Sequence, residues 1–208
     1  ISLAFGRDPN PNSALTESWD GSSWTEVGDL NTSRYAGGGA GGSNTAALMF
    51  GGLTTPPTTY KDLVEEWNGS AWTEVGDLNT ARGSPGGLGQ SAEAALAFGG
   101  YTGSTTAVVE QWNGSAWTEV NDINTAREQL TGSGEYTDAV AFGGNPPTGK
   151  TETWNGSVWF ETSDLNSARK KPGPSGTSTA ALAFAGQVGD SPSGSALTEE
   201  WSGSSNTT

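Results

Sequence analysis

The sequence contains no cysteine and no histidine. The first absence excludes disulfides and thiol chemistry. The two together exclude zinc sites of the usual ligand type and any nucleophile of the Ser-His-Asp or Cys-His kind. A chain without cysteine suits reducing and oxidising compartments equally. Only 32% of the 208 residues are hydrophobic, and no apolar run reaches the roughly 18 residues of a membrane-spanning helix. No secretory leader is visible, and the chain opens on Ile1 rather than Met, which reads as a processed or partial product. Basic residues are also scarce. Nine Lys and Arg against 23 Asp and Glu leave a net charge of −14, which opposes contact with nucleic-acid phosphates or an anionic membrane and otherwise serves solubility.

Glycine, in contrast, is abundant. The 32 Gly and 10 Pro exclude a mainly helical fold, because both penalise helix interiors. With so few aliphatic residues, an ordered core has to come from the nine Trp and from closely packed Ala and Gly.

Residues 65–82, EEWNGSAWTEVGDLNTAR, recur in near copies along the chain. Taking the first Trp of each copy as a marker gives Trp19, Trp67, Trp112, Trp154 and Trp201, at intervals of 48, 45, 42 and 47 residues. A period of 40 to 50 points to an array of supersecondary units such as a propeller. The expectation is one domain, 1–208, with units at about 1–28, 29–76, 77–121, 122–163 and 164–208. Upstream of each Trp lies a second marker: Leu3-Ala4-Phe5-Gly6, Leu48-Met49-Phe50-Gly51-Gly52, Leu96-Ala97-Phe98-Gly99-Gly100, Val140-Ala141-Phe142-Gly143-Gly144 and Leu182-Ala183-Phe184-Ala185-Gly186. Each reads as a short strand closed by a turn, with small residues on one face and larger ones on the other.

Each unit divides into four strands, in the third at about 82–88, 93–98, 107–112 and 116–120. Asn113-Gly114 joins the last two and predicts a tight hairpin with both turn residues at positive φ. The same turn recurs at Asp20-Gly21, Asn68-Gly69 and Asn155-Gly156. It places Trp67 and Trp72 on one sheet face, ready to pack on a neighbouring unit.

A strand ending in Gly-Gly, a Glu two residues before an aromatic, a Trp five residues on and a Leu-x-x-x-Arg segment together resemble the kelch repeat over nearly the whole chain. The resemblance implies an all-β, kelch-like β-propeller of about five four-stranded antiparallel blades, or five blades of a larger one. Trp stands where kelch repeats usually carry Tyr, and the inner strand is unusually rich in Gly and Ser. The near-identical units also resemble repeat arrays in bacteriophage virion and fibre proteins. The first unit starts at its second strand, residues 1–5, so its inner strand is missing. The last ends in a short fourth strand, residues 205–208, with Asn206 in the Trp position. Kelch-type closure implies that a terminal segment supplies the missing strand, from chain beyond Thr208 in preference to another molecule.

Length variation is confined to the connection between strands two and three: residues 7–14, 53–64, 101–107, 145–150 and 187–196. In a four-stranded meander these connections share a face with those between units, and variable loops on a fixed scaffold are where binding resides. Arg7, Tyr60, Lys61, Tyr101 and Lys150 are the binding candidates there. Surface loops also vary simply because nothing restrains them.

Glu17, Glu65, Glu110, Glu152 and Glu199 recur two residues before the marker Trp, and Arg34, Arg82, Arg127 and Arg169 recur at one position. Such even distribution suits structural pairing between adjacent blades better than a pair of unlike catalytic acids at one place. The marker Trp residues read as core. Asp29, Asp77, Asp122 and Asp164 lack the dense acidic loop of an EF-hand and read as turn caps, so no metal or cofactor is expected. Asn31, Asn68, Asn113, Asn155 and Asn206 each begin a glycosylation sequon, three of which coincide with predicted Asn-Gly turns.

The sequence therefore suggests a non-enzymatic extracellular binding or structural module, such as a virion surface or tail-fibre component, that engages a glycan or protein through its variable loops. It would bind no nucleic acid and insert in no membrane. The alternative is an architectural subunit of a filament or capsid, self-assembled by strand sharing at the open first blade. A propeller enzyme ranks third.

Overall fold

The computed structural model describes residues 2–6, 13–189 and 194–203. They form an all-β body of five small antiparallel sheets in a propeller arrangement. The second blade comprises Gly38–Ser43, Ala46–Phe50, Val64–Trp67 and Trp72–Glu74, hydrogen-bonded in that order from the axis outward. The third comprises Gly86–Ser91, Ala94–Phe98, Val109–Trp112 and Trp117–Val120. The fourth comprises Thr131–Glu135, Asp138–Phe142, Thr151–Trp154 and Trp159–Glu161. The first has three strands, Ser2–Phe5, Thr16–Trp19 and Trp24–Glu26. Three are described for the fifth: Gly173–Gly176, Ala181–Phe184 and Thr198–Trp201. The strand expected at 205–208 lies outside the described residues.

Inner strands begin later than the sequence suggests, at Gly86 rather than Arg82 in the third blade. Residues 82–85 are the incoming connection: Arg82 is buried in a side-chain clamp, and Pro85 has no N–H for the ladder. The outer hairpin also differs from expectation. Its loop spans four residues, 68–71, closed by the Asn68 N–H to the Ala71 carbonyl, and Gly69 takes positive φ (94°) but Asn68 does not. Asn68 acts through its side chain, whose Oδ1 accepts the N–H groups of Ser70 and Ala71 at 3.0 Å each. Asp20, Asn113 and Asn155 do the same. Asn-Gly is thus selected here for an acceptor followed by a residue free to turn left-handed.

The core lies between blades. Leu48 and Phe50 of the second blade pack on Ala95, Ala97, Trp112 and Trp117 of the third. Leu96 and Phe98 of the third pack in the same way on Ala139, Ala141, Trp154 and Trp159 of the fourth. The second-strand Phe of each of the first three blades meets the outer Trp of the following blade: Phe5–Trp72 at 5.0 Å, Phe50–Trp117 at 5.2 Å and Phe98–Trp159 at 5.7 Å between ring centres. These tilted and edge-on contacts suit the aromatic quadrupoles. Alternating faces of one strand therefore serve two joints, Ala receiving the blade before and Leu-Phe entering the blade after.

The marker Trp residues at 67, 112 and 154 are each 1% exposed. Their indole N–H groups donate within the blade to the carbonyls of Asn44, Ala92 and Tyr136 in the turn between strands one and two. Trp201 donates likewise to Ser178. Trp19 and Trp201, in the outermost blades, are only half-buried.

Glycine in the inner strands answers to close approach of backbones around the axis. A Cβ on Gly87 would stand 2.6 Å from the Gly39 carbonyl oxygen of the preceding blade, and one on Gly42 would stand 2.3 Å from that of Gln90 in the following blade. Side chains here would push the blades apart. The inner strands enclose a channel of about 460 Å³ walled largely by backbone.

The fifth blade does not close on the first as the others close on one another. Phe184 is 39% exposed, and Trp24, its counterpart by position, is 49% exposed, where Trp72, Trp117 and Trp159 are each 5%.

Candidate functional site

The repeated Arg and Glu meet, but inside one unit rather than between neighbouring blades. Arg82, in the connection entering the third blade, donates to Glu110 on that blade's third strand at 2.7 Å. Arg127 pairs with Glu152 at 2.5 Å, and Arg34–Glu65 and Arg169–Glu199 repeat the pair. Asn shares each clamp. The N–H and Nδ2 of Asn79 donate to the second oxygen of Glu110 at 2.6 and 2.8 Å, as those of Asn31, Asn124 and Asn166 do to their own Glu. Burial lowers the pKa of Arg82 and the Glu110 charge opposes that shift. At Glu199 burial pushes the pKa up, but donors from Asn166 and the Arg169 charge prevail and bring it below its ordinary value. The clamps consume four of the five repeated carboxylates, Glu65, Glu110, Glu152 and Glu199, as acceptors, while Glu17 is exposed.

Asn31 belongs to this clamp. Its Nδ2 donates to Glu65 and to the Trp72 carbonyl at 2.9 Å each, so a sugar on that nitrogen would break the clamp. Asn68, Asn113 and Asn155 sit on exposed outer turns. Asn206 lies outside the described residues. Asp77 and Asp164 accept the N–H groups that open the third strands, from Val64 at 3.2 Å and Thr151 at 3.1 Å, and among the described residues no three Asp or Glu gather as a metal would require.

The connections between strands two and three and those entering each blade share one face. Tyr35 bridges to Leu53, Gly83 to Tyr101 and Glu128 to Asn145. Arg169–Lys170 pairs with Gln187–Val188. Neighbouring blades are joined there too, by the N–H groups of Gly52, Gly100 and Gly144 donating at 2.9 Å to the carbonyls of Arg82, Arg127 and Arg169.

This face brings together four of the five binding candidates. Tyr60 ends a two-strand ladder, Leu53–Thr54 with Thr59–Tyr60, and stacks at a tilt on Tyr101 of the next blade with ring centres 5.7 Å apart. Both rings are half-buried, as is Lys61 beside them. Lys150 lies two blades from Tyr60 and is held by Glu161 at 2.9 Å, a bond that raises the lysine pKa and lowers that of the carboxyl. Arg7 lies outside the described residues.

Sequence reasoning missed the centre of this face. Ala36, Ser84, Gln129 and Lys171 occupy one position in successive blades, all with positive φ of 52–55°. Each N–H in turn donates to the carbonyl of the one before: Ser84 to Ala36 at 2.7 Å, Gln129 to Ser84 at 2.9 Å and Lys171 to Gln129 at 2.8 Å. Non-glycine residues in this region carry about 1 kcal/mol or more of strain each, retained when the surroundings fix it. They rim a cavity of about 350 Å³ at the channel mouth, and the Gln129 Oε1 is buried there without a protein partner. All four lysines of the chain, Lys61, Lys150, Lys170 and Lys171, thus belong to the connections of this face.

The class is a five-bladed β-propeller. No family model matches the chain, and no curated protein matches it.

Proposed function

We infer that this propeller is a non-enzymatic extracellular binding module, a virion surface or tail-fibre component, that engages a glycan or protein through its loop face. The observation that carries this reading is the Tyr60–Tyr101 pair, which spans two blades on the face that also gathers every lysine of a protein with net charge −14. Half-buried aromatic rings present apolar area at low entropic cost and stack on sugars or side chains. Lysines in an otherwise acidic molecule steer an anionic partner to that side. The resemblance of the units to phage repeat arrays suggests the extracellular setting, and the engagement of Glu65, Glu110, Glu152 and Glu199 in the clamps supports a role other than catalysis.

A mixed glycan array and a panel of surface proteins test the reading. Binding to at least one, reduced tenfold or more by the Tyr60→Ala/Tyr101→Ala double variant, is expected. Silence on both panels, or binding unchanged in the variant, would overturn it.

A further inference from the structure

The asparagines of the repeat fall into two classes that exposure does not separate. Asn31, Asn79 and Asn166 in the clamps and Asn68, Asn113 and Asn155 on the outer turns are all exposed. In the clamps Nδ2 donates to Glu65, Glu110 or Glu199, and the N–H of the next residue, Thr32, Thr80 or Ser167, donates to the other oxygen of the same carboxylate. On the outer turns both groups are free. Among the described residues no acceptor meets the Nδ2 of Asn68, Asn113 or Asn155, or the N–H of Gly69, Gly114 or Gly156 that follows. Their Oδ1 atoms, in contrast, gather donors. That of Asn68 accepts the Ser70 N–H at 3.0 Å, the Ser70 hydroxyl at 2.9 Å and the Ala71 N–H at 3.0 Å. Asn113 has the same three, from Ser115 and Ala116. Asn155 has two, the N–H groups of Ser157 and Val158.

We propose that the outer turns at Asn68, Asn113 and Asn155 are self-modifying sites, at which the asparagine loses its amide to the neighbouring glycine nitrogen. At the first of them the Gly69 nitrogen attacks Asn68 Cγ and gives its proton to water. A C–N bond forms, and the carbonyl electron pair moves onto Oδ1. The donors gathered at Oδ1 stand where that charge develops, as in an oxyanion hole. The pair then returns, the Cγ–Nδ2 bond breaks, and Nδ2 leaves as ammonia with a proton taken from water. Attack of a second water at Cγ opens the cyclic imide, restores the main chain and leaves aspartate. Attack at the backbone carbonyl instead routes the chain through the side chain and leaves isoaspartate. The balance is one water consumed and one ammonia released, with no redox change. Glycine has no side chain to shield its nitrogen, and its N–H carries no hydrogen bond for the attack to break.

The molecule already holds the aspartate product in one turn. Asp20 precedes Gly21 at the same place, and its Oδ1 accepts the Ser22 N–H at 2.7 Å, the Ser22 hydroxyl at 2.9 Å and the Ser23 N–H at 2.9 Å. Donors that hold an amide oxygen hold a carboxylate more strongly, so the turn accommodates the acid. The clamped asparagines are exempt, because ring closure there would break both bonds to the carboxylate. In the strand order of each blade the outer turns lie on the face opposite the lysine-bearing loops. Each conversion therefore adds a negative charge away from the lysines, in a molecule already at −14. These sites are independent of the loop-face reading.

The test incubates the intact 208-residue protein in warm, mildly alkaline buffer, native and in urea, and follows each asparagine by peptide mapping and mass spectrometry. In the native protein Asn68 and Asn113 are expected to convert at least as fast as in urea. Asn155, with fewer donors, should lag them at least threefold, and the three rates should converge in urea. Asn31, Asn79 and Asn166 should remain amides. Ser70→Ala removes one donor from an exposed turn and should slow Asn68 at least threefold in the native protein alone, with Asn113 unchanged and the melting temperature verifying the fold. Asp20→Asn should create a fourth site. Slower conversion of Asn68 and Asn113 in the native protein than in urea would show that the turn shields its amide and would overturn the proposal. So would a native Asn68 rate indifferent to Ser70→Ala, or conversion of the clamped asparagines at the rate of the outer ones.

Discussion

The indole N–H of Trp72 donates to the hydroxyl of Thr16 at 3.0 Å across the joint between the first and second blades. Trp117 and Trp159 take the same place in the next two joints, but the residues corresponding to Thr16 are Val64 and Val109, and both indole nitrogens are buried without a partner. Thr16→Val is expected to cost about 1–2 kcal/mol by orphaning the Trp72 donor. Val64→Thr gives Trp117 an acceptor and is expected to leave stability unchanged or raise it by up to about 1 kcal/mol. Urea denaturation measures both, and a clear loss in Val64→Thr would contradict the assignment.

Arg82→Ala leaves Glu110 buried beside two Asn79 donors but without its cation, at an expected cost of about 3–5 kcal/mol. Replacing Arg82 and Glu110 together by Met should cost less than the single change, because no uncompensated charge remains. A double-mutant cycle on unfolding free energies separates the two terms.

Gly42→Ala brings a methyl group to 2.3 Å from the Gln90 carbonyl oxygen. Both are backbone positions of inner strands, so relief requires moving a blade, and a loss of about 1–3 kcal/mol is expected. An unchanged denaturation midpoint would show that the blades yield.

Hydrogen bonds from the Ser23 N–H first, then the Ser22 N–H and hydroxyl, hold the Asp20 pKa down at about 2, against 3.8 for a free side chain. The stabilisation this implies is present in full above pH 3.8 and is lost as pH falls through about 2. Carboxyl NMR should titrate Asp20 near 2. Asp20→Asn, which copies the turns at Asn68, Asn113 and Asn155, should flatten this part of the acid dependence.

Trp72→Ala removes a ring that is 5% exposed, and about 3–5 kcal/mol is expected. Trp24→Ala removes one that is 49% exposed and should cost well under half as much. Comparable losses would mean that the fifth blade covers Trp24 in solution.

The scaffold was legible in the sequence because packing repeats letters. Trp67 and Trp72, Leu48 and Phe50, and the Ala pairs recur because each joint needs the same volumes. The direction of pairing was not legible: Glu110 stands 28 residues from Arg82, and spacing alone does not reveal whether a partner lies in the same sheet or the next. The axial ring was hidden for a different reason. Ala36, Ser84, Gln129 and Lys171 share a backbone conformation and a hydrogen-bond role but no side-chain chemistry, so a comparison of letters passes over them. On the loop face, Tyr60 and Tyr101 were visible as candidates, but their meeting was not, because it depends on a ladder in one blade and a bridge in the next.

The handover of Phe to Trp from blade to blade also orders the molecule in time. Among the described residues Phe184 and Trp24 leave the joint between the fifth and first blades uncovered, so cooperativity is transmitted chiefly along the other joints, between nearest neighbours. Opening then begins at the two outer blades and works inward, so amide hydrogens of the third blade, clamped on both sides, should be the last to exchange.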